Sequence, residues 1–478
     1  MRLPRSVLLC LALAAAPAPA ADRARGLDGL ASFTDGVVAH EIATREVAGA
    51  VVTVVDGGRV VLSRGYGYAD LAANRPVDPQ ATLFRPGSVS KLFTWVALMQ
   101  QVEAGRVRLD ADVNTYIDFR IPDYRGQPIR VRDLLSHSPG MSDISDFIFY
   151  DAKEVTPYAQ WMKAHVPRRL WAPGTEIAYS NYGAMLAGYI VERVAGEPYA
   201  DYAERHIFAP LRMTSTTFRE PLPPPLGPRM ATGYRAEDGT LVAKAPERLS
   251  TVMPAGSATT SAPDMARFMM ALLDGGALDG ARILRRETLA TMEGDLLANV
   301  PGLPGLAHGF LVEREAGPRL IGHAGNTIDF HSDLVIAPTL GTGFFLSFTG
   351  GKGSSLARTE LRDALIGRLF PQSPRPRWTG GPGLAKAGGF RVNRRDYEGP
   401  ADPDELVRVA IAGPHRVTVT SAGVTTSWDQ VGPDEYEKAT GARDGGPYDR
   451  LKFYGAAGDL RLSFASLPYE TFHFVPLR

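Results

Sequence analysis

The strand-forming patterns of this chain lie in two groups separated by a long helical stretch, and this division limits the fold more than any other feature. Near the start, Asp56-Gly57-Gly58 separates two apolar runs, residues 50–55 and 59–63, which predicts a β-hairpin. A first helix is predicted before the hairpin and others are predicted after it, at residues 27–47, 182–194 and 263–273. The second strand group and its closing helix are predicted at residues 308–313, 319–322, 330–337, 343–349 and 355–370. We therefore expect one antiparallel sheet that both ends of this region close, flanked by helices and carrying an all-helical lobe.

The C-terminal part of the chain has a different texture. Residues 371–388 are rich in Pro and Gly and are predicted to form a linker. Beyond them, apolar residues alternate at Val407/Val409/Ile411, Val417/Val419, Leu451/Phe453, Leu460/Leu462/Phe464 and Phe472/Phe474. Several short strands at close spacing predict a small all-β barrel domain over residues 389–478, which follows a first domain over residues 27–370.

The first 20 residues have the pattern of a secretory signal peptide. Arg2 and Arg5 give a basic start, residues 7–16 form a short apolar core, and Ala18-Pro19-Ala20 is a small-residue cleavage site. Cys10 is the only cysteine and lies inside this segment, so the processed chain would hold no disulfide and no thiolate metal ligand. No later apolar run reaches transmembrane length. We expect a periplasmic or secreted protein without a transmembrane segment.

Charge and composition favour some partner classes over others. The chain has 52 Lys+Arg and 52 Asp+Glu, so its net charge gives no argument for a nucleic-acid partner. With 44% hydrophobic and 22% charged residues, it is an ordinary globular sequence. We therefore expect a small-molecule or peptide substrate and no nucleic-acid partner, and the oligomeric state stays open.

Ser88 and Lys91 are the first candidates for chemistry. They stand at the start of a helical pattern, so Lys91 lies one turn from Ser88 on the same face. A serine hydroxyl is a poor nucleophile until a neighbour takes its proton, and a lysine that its environment keeps neutral can do so. The helix start also offers free N–H groups to an oxyanion. Taken alone, the pair fits a solvated helix start equally well.

Two later segments supply further candidates. In Tyr179-Ser180-Asn181, the phenol could relay a proton and the amide could hold a substrate carbonyl. In His323-Ala324-Gly325-Asn326, on a predicted strand, the glycine allows a backbone N–H to face a ligand closely. Each segment alone fits an ordinary loop or strand at least as well.

Together these motifs resemble those of the serine β-lactamase and penicillin-binding-protein superfamily, in its class C β-lactamase-like branch. The family's Ser-x-x-Lys, Tyr-x-Asn and His-x-Gly motifs correspond to residues 88–91, 179–181 and 323–325. Flanking sequence also matches, as in residues 134–140 and 254–256. The resemblance covers about residues 27–370. It implies a β-lactamase/transpeptidase-like fold with the site between an α/β sandwich and the helical lobe.

The resemblance also implies catalytic roles. Ser88 would attack the carbonyl and become acylated, and water would then hydrolyse the acyl-enzyme. Lys91 and Tyr179 would share the proton of Ser88, and the sequence leaves open which of them is the base. Asn181 would orient Lys91 and the substrate. No metal or organic cofactor is implied.

The third motif would complete the substrate site. The backbone N–H groups of Ser88 and Asn326 would form the oxyanion hole, with Gly325 beside them. His323 stands where class C enzymes usually carry Lys, and a histidine is at most partly charged at pH 7. This difference weakens the expectation of a β-lactamase.

The His-x-Gly pattern resembles esterases and D-amino-acid peptidases, and some such members carry a C-terminal lipocalin-like barrel. We therefore expect an exported serine hydrolase acting on esters or amides, such as short peptides with D-residues, peptidoglycan fragments or small esters. The alternatives are a penicillin-binding sensor that stops at acylation, an acyltransferase or peptide cyclase, and a true class C β-lactamase.

Overall fold

The computed structural model of this chain shows a large sheet with helices, followed by a β-barrel. It describes residues 26–44, 46–144, 148–150, 155–314, 317–372, 375–381, 383–397, 399, 405–439, 449–456 and 458–476. The predicted signal peptide therefore lies outside the described residues. In these ranges, no helix is both long enough and apolar enough to cross a membrane.

A nine-stranded antiparallel sheet forms the centre of the first 370 residues. The strands of this region are β1 (Gly49–Asp56), β2 (Arg59–Asp70), β3 (Arg75–Pro76), β4 (Leu83–Phe84), β5 (Phe149–Tyr150), β6 (Tyr234–Glu237), β7 (Thr240–Ala243), β8 (Glu247–Arg248), β9 (Thr260–Ser261), β10 (Ala277–Leu278), β11 (Ala281–Arg282), β12 (Asp295–Leu297), β13 (Leu306–Ala307), β14 (Leu311–Arg314), β15 (Leu320–Asn326), β16 (Phe330–Ala337) and β17 (Thr342–Thr349). The order in the large sheet is β12-β13-β14-β15-β16-β17-β1-β2-β3. Strand β17 pairs with β1 along its whole length, from Gly49↔Thr349 to Asp56↔Thr342. Strands from the two ends of the region therefore pair with each other within one sheet, as the sequence predicts.

The α-helices either cover the sheet or build the lobe. They are α1 (Leu30–Thr44), α2 (Lys91–Glu103), α3 (Val131–Leu135), α4 (Tyr158–Ala164), α5 (Asn181–Ala195), α6 (Tyr199–Ala203), α7 (Met253–Gly256), α8 (Ala262–Leu273), α9 (Arg286–Glu293) and α10 (Lys352–Leu369). Helix α5 has clear end signals, since the Ser180 side chain accepts a hydrogen bond from Gly183 N–H at its start and Gly196 is left-handed at its end. Shorter helical turns lie at Gly87–Ser90, Val113–Thr115, Glu204–Phe208, Gly227–Arg229, Ser250–Val252 and Pro338–Leu340.

Strand β1 shows how the sheet is covered on both faces. Successive side chains of a strand point to opposite faces. Val51 and Val55 join the core that contains helices α2, α5 and α8, whereas Val52 and Val54 join the core that contains α1 and α10. All eight residues of β1 are buried. Because β1 is covered on both faces, its sequence is a nearly continuous apolar run and does not alternate.

The C-terminal region forms a closed antiparallel barrel. Its strands are β18 (Gly388–Val392), β19 (Leu406–Gly413), β20 (Arg416–Ser421), β21 (Val424–Gly432), β22 (Glu435–Lys438), β23 (Arg450–Ala456), β24 (Asp459–Phe464) and β25 (Phe472–Val475). Strand β18 pairs with β25, which completes the ring. Alternate residues such as Phe390, Trp428 and Phe453 form the barrel core. Closure leaves no exposed sheet edge.

The predicted fold class is confirmed: an antiparallel sheet with helices precedes a small all-β barrel. The strand predicted over residues 330–337 coincides with β16. The strand predicted over residues 308–313 is correct only for residues 311–313, which belong to β14, because Gly309 interrupts the chain before them. Gly309 has a φ of 97°, and a Cβ there would lie 2.4 Å from the Trp95 ring. The chain therefore turns between β13 and β14 at this point.

Candidate active site

Ser88 lies in a tight turn that leads directly into helix α2. Residues Gly87–Ser90 form a 3₁₀ turn, and α2 continues from Lys91. The apolar residues that follow, including Leu92 and Phe93, are fully buried and anchor the helix in the lobe. Ser88 and Lys91 are therefore on one face, and Lys91 Nζ lies 2.9 Å from Ser88 Oγ.

Two glycines allow strand β15 to lie directly against this turn. Gly87 has a φ of 53°, which favours glycine, and a Cβ there would lie 2.8 Å from Asn326 N. A Cβ on Gly325 would lie 1.9 Å from Pro86 O and 2.9 Å from Ser88 N. The absence of both Cβ atoms brings the backbone of Asn326 next to that of Ser88. Two backbone N–H groups this close can stabilise one oxyanion.

Lys91 is completely buried beneath Ser88. Besides the serine, its Nζ contacts two acceptors from other elements of the lobe. Asn181, the first residue of α5, places Oδ1 at 2.8 Å, and Ala255 of α7 places its carbonyl oxygen at 2.7 Å. Three segments far apart in the chain therefore fix the position of this amine.

The surroundings of Lys91 favour the neutral amine. Burial lowers the pKa of Lys91 well below its ordinary value, and the nearby Arg394 guanidinium acts in the same direction. A neutral amine has two N–H donors and one lone pair. Asn181 Oδ1 and the Ala255 carbonyl can only accept, so they take both N–H groups. The remaining lone pair faces Ser88 Oγ and can accept its proton.

Tyr179 lies across the same site, just before helix α5. Its ring stacks on His137 with centroids 4.2 Å apart. Lys91 Nζ lies 4.9 Å and Arg394 Cζ lies 4.5 Å from the Tyr179 ring centroid. Its backbone N–H donates to Tyr469 O at 3.0 Å. The phenol is therefore held by groups from both the first region and the barrel.

The Tyr179 hydroxyl is protonated at neutral pH. Burial raises the pKa of this phenol above its ordinary value, and the nearby Ser88 hydroxyl and Arg394 guanidinium oppose this effect only in part. The oxygen is buried, and in the described residues no partner makes a hydrogen bond of ordinary geometry to it. A buried phenol held in this way can donate its proton to a substrate group in the cleft.

His323 is the neutral residue of the third motif. It is buried on strand β15, and this burial lowers its pKa to about 3. Its Nδ1 lies 2.5 Å from Ala324 O, and since a carbonyl only accepts, Nδ1 carries the hydrogen. Nε2 is therefore an acceptor, and it is buried without a partner in the described residues.

These residues surround one cleft of about 180 Å³. Of the predicted site residues, those that line it are Ser88, Tyr179, Asn181, His323 and Asn326. Lys91 and Gly325 contact Ser88 from behind. The structure therefore brings all seven predicted site residues together. Apolar side chains complete the wall, and they are Ile148, Leu249, Val252, Leu311 and Ile328.

Sequence reasoning missed four groups at this site. His137 and Ala255 lie in segments that were noted only as flanking sequence, and no spacing rule links either to the motifs. Arg394 and Tyr469 line the cleft from the barrel region. No local pattern marks these two residues, because only the packing of the barrel against the first region brings them to the cleft.

Comparison with known proteins agrees with this geometry. The Beta-lactamase family profile matches residues 34–368, more than half of the chain. The chain belongs to the Beta-lactamase family. Protein flp of Staphylococcus aureus (strain N315) is 26% identical over 314 residues, which are 64% of this chain and 60% of that protein. The match thus spans less than two thirds of this curated relative.

Solved structures of similar fold extend the comparison. The octameric penicillin-binding protein homologue from Pyrococcus abyssi has a TM-score of 0.61 at 20% identity, covering 93% of this chain and 100% of that chain. At this identity the likeness shows the fold alone, and its coverage includes the barrel. The D-amino acid amidase from Ochrobactrum anthropi SV3 has a TM-score of 0.59 at 26% identity, covering 71% of this Beta-lactamase family chain and 98% of that chain.

Proposed function

We propose that this chain is a serine hydrolase that forms an acyl-enzyme on Ser88 and hydrolyses ester or amide substrates. The observation that carries this proposal is the 2.9 Å contact of Lys91 Nζ with Ser88 Oγ in a site that favours the neutral amine. A lysine with a purely structural role is rarely fully buried unless a carboxylate pairs with it. The hydrogen bonds of Lys91 go instead to Ser88, Asn181 and Ala255.

In the acylation step, Lys91 accepts the proton of Ser88 while Ser88 Oγ attacks the carbonyl carbon. The oxyanion accepts hydrogen bonds from the N–H groups of Ser88 and Asn326. Tyr179 then gives its proton to the leaving oxygen or nitrogen as the bond to carbon breaks. The Lys91 ammonium returns a proton to the phenolate, so both groups regain their starting states. Each oxyanion donor contributes about 10²–10³ in rate in enzymes of this chemistry.

Water completes the cycle by attacking the acyl group on Ser88. The neutral Lys91–Tyr179 pair can take the proton of that water, and Ser88 Oγ leaves with a proton. Asn181 holds Lys91 and the acyl carbonyl in place during both steps. His323 presents the unprotonated Nε2 to the cleft and accepts a hydrogen bond from the substrate.

The His-x-Gly branch with its C-terminal barrel fits substrates such as short peptides with D-residues or small esters. The 26% identity to a D-amino acid amidase supports an amide substrate class. The apolar cleft wall suits an uncharged or aliphatic acyl group. A neutral His323 lacks the charge that the motif lysine of class C enzymes offers to the carboxylate of a β-lactam, which weakens the expectation of a class C β-lactamase. The pattern of residues 1–20 supports a periplasmic or secreted location.

The proposal is tested by hydrolysis of p-nitrophenyl butyrate with wild type and Ser88→Ala. We expect steady turnover by the wild type and a loss of at least about 10³-fold in kcat for the variant, with an unchanged thermal midpoint. Ser421→Ala, which changes an exposed serine of the barrel, is the control and should keep full activity. Turnover by Ser88→Ala at the wild-type rate would refute the assignment. A burst of one equivalent without turnover would favour a sensor.

A further inference from the structure

The barrel places one charged side chain directly against the ring of Tyr179. Arg394 follows strand β18, and its guanidinium carbon lies 4.5 Å from the Tyr179 ring centroid. The side chain is 31% exposed and faces the cleft. Of the described residues that line the cleft, Arg394 is the one with a permanent charge.

Two carboxylates hold this guanidinium in place. Asp143 Oδ2 accepts from Arg394 Nε at 3.0 Å, and Glu470 Oε1 accepts from Nη1 at 3.4 Å. Asp143 belongs to the first region, and its backbone N–H also donates to Arg395 O at 3.0 Å. Glu470 lies in the barrel region. The guanidinium is therefore fixed from both sides, with its Cζ over the Tyr179 ring.

We propose that Arg394 is a positioning residue that the barrel contributes to the active site. It holds the Tyr179 ring and stabilises the phenolate that forms when Tyr179 protonates the leaving group. This inference rests on the proposed function and adds a residue and a role to it.

The proton balance shows when this charge matters. The O–H bond of Tyr179 breaks as the O–H or N–H bond of the leaving group forms, and the electron pair stays on the phenolate. A cation over the ring face attracts that negative charge more strongly than it attracts the neutral ring. The phenolate lasts until the Lys91 ammonium returns a proton. Substrates whose leaving group needs a proton therefore depend on Arg394 more than substrates whose leaving group does not.

In the resting state, the other groups around Tyr179 do not supply a positive charge. His137 and His323 are neutral, because burial lowers the pKa of both rings. Tyr469 is a neutral phenol, since burial raises its pKa to about 12. The remaining groups that face this cluster are Lys91, Asp143 and Glu470. Both carboxylates bind Arg394, and the charge of Asp143 also acts on Tyr179, where it opposes the effect of the guanidinium on the phenol in part.

The same charge also affects the base. A cation near Lys91 disfavours its protonated form, so the loss of Arg394 raises the pKa of Lys91. Because the base must be unprotonated, the acid limb of the kcat/KM profile then moves to higher pH. This direction is the same whether Lys91 or Tyr179 is the base, since a cation lowers the pKa of both groups.

The test compares p-nitrophenyl butyrate with ethyl butyrate, which give the same acyl-enzyme. p-Nitrophenolate leaves without a proton, whereas ethoxide needs one. For Arg394→Met we expect kcat/KM for ethyl butyrate to fall on the order of 10–100-fold more than kcat/KM for p-nitrophenyl butyrate on the alkaline plateau. We also expect the acid limb to move up by about one pH unit.

Matched variants separate this role from a structural one. Arg395→Met removes a neighbouring guanidinium that packs on Tyr397 at 4.0 Å. It should change neither the ratio of kcat/KM for the two esters nor the pH of the acid limb. Arg394→Lys keeps the charge and should keep the acid limb near the wild-type position. Arg394→Gln is the second neutral variant, which can still hydrogen-bond to the anchoring carboxylates if Arg394→Met does not fold.

The inference would be overturned if a folded neutral variant lost the same factor in kcat/KM on both esters and kept the acid limb at the wild-type pH. Wild-type activity of such a variant on both esters would also overturn it. Failure of the proposed function itself would give a different result, because Ser88→Ala would then keep the wild-type activity. If Ser88→Ala is inactive and Arg394→Met behaves as wild type, only the role of Arg394 is wrong.

Discussion

At the scale of single residues, the site places the Lys91 amine and the Tyr179 phenol in the same buried surroundings. Burial acts on both groups and favours the uncharged form of each, so it lowers the pKa of Lys91 and raises that of Tyr179. Groups whose pKa values are displaced in this way are suited to act as base and acid in one reaction. The sequence left the choice of base open, and these environments favour Lys91 as base and Tyr179 as acid.

Tyr179→Phe tests this assignment at the residue scale. The change removes only the hydroxyl, which is buried and makes no ordinary hydrogen bond in the described residues, so the thermal midpoint should stay the same or rise slightly. The rate on ethyl butyrate should fall about 10²–10⁴-fold. A rate within a few-fold of the wild type would exclude the proton-donor role.

The motif residues could be predicted because their spacing has a direct geometric meaning. Ser88 and Lys91 are three residues apart at a helix start, so sequence alone places them on one face. Tyr179 and His323 could be joined to them only through a family resemblance. Arg394 could not be predicted at all, because its contact depends on how the barrel packs against the lobe.

At the scale of elements, the site depends on the contact between the Ser88 turn and strand β15. Gly87 and Gly325 let two backbones approach more closely than side chains would allow. The approach brings the backbones of Ser88 and Asn326, the proposed oxyanion hole, next to each other. The sequence identified Gly325 as part of a motif, but not the residue that it faces, which is Pro86.

Gly325→Ala tests this contact. The added Cβ would lie 1.9 Å from Pro86 O, so the turn and the strand must separate. We expect a loss of about 1–3 kcal/mol in the free energy of unfolding and a large fall in kcat. Gly413→Ala is the control, because a Cβ at Gly413 meets nothing within 4 Å. Equal behaviour of the two variants in urea unfolding and in ester hydrolysis would contradict this account.

At the scale of the whole molecule, the sheet that carries the site joins strands from both ends of the first region. Some of its side chains are polar groups whose burial disfavours their charged form. His331 on β16 is an example, since its Nδ1 lies 2.7 Å from Ser354 Oγ and burial lowers its pKa to about 3. The hydrogen-bond partner of His331 lies on α10 and could not be predicted from the sequence.

This histidine makes stability depend on pH in a direction that can be worked out. Its folded pKa is below the ordinary value of about 6.5, so between these values the unfolded chain binds a proton that the native chain does not. Its contribution is therefore complete above about pH 6.5 and is lost as the pH falls towards 3. From pH 7.5 to pH 5, the thermal midpoint of the wild type should fall more than that of His331→Asn. A parallel fall in both proteins would show that His331 does not titrate in this way.

The whole account depends on a covalent intermediate at one oxygen. The most direct measurement is rapid acid quench of the wild type during turnover of p-nitrophenyl butyrate, followed by mass spectrometry of the intact chain and its peptides. We predict one butyryl group per chain, located on the peptide that contains Ser88, and none in Ser88→Ala. Turnover without an adduct, or an adduct on another residue, would contradict the account.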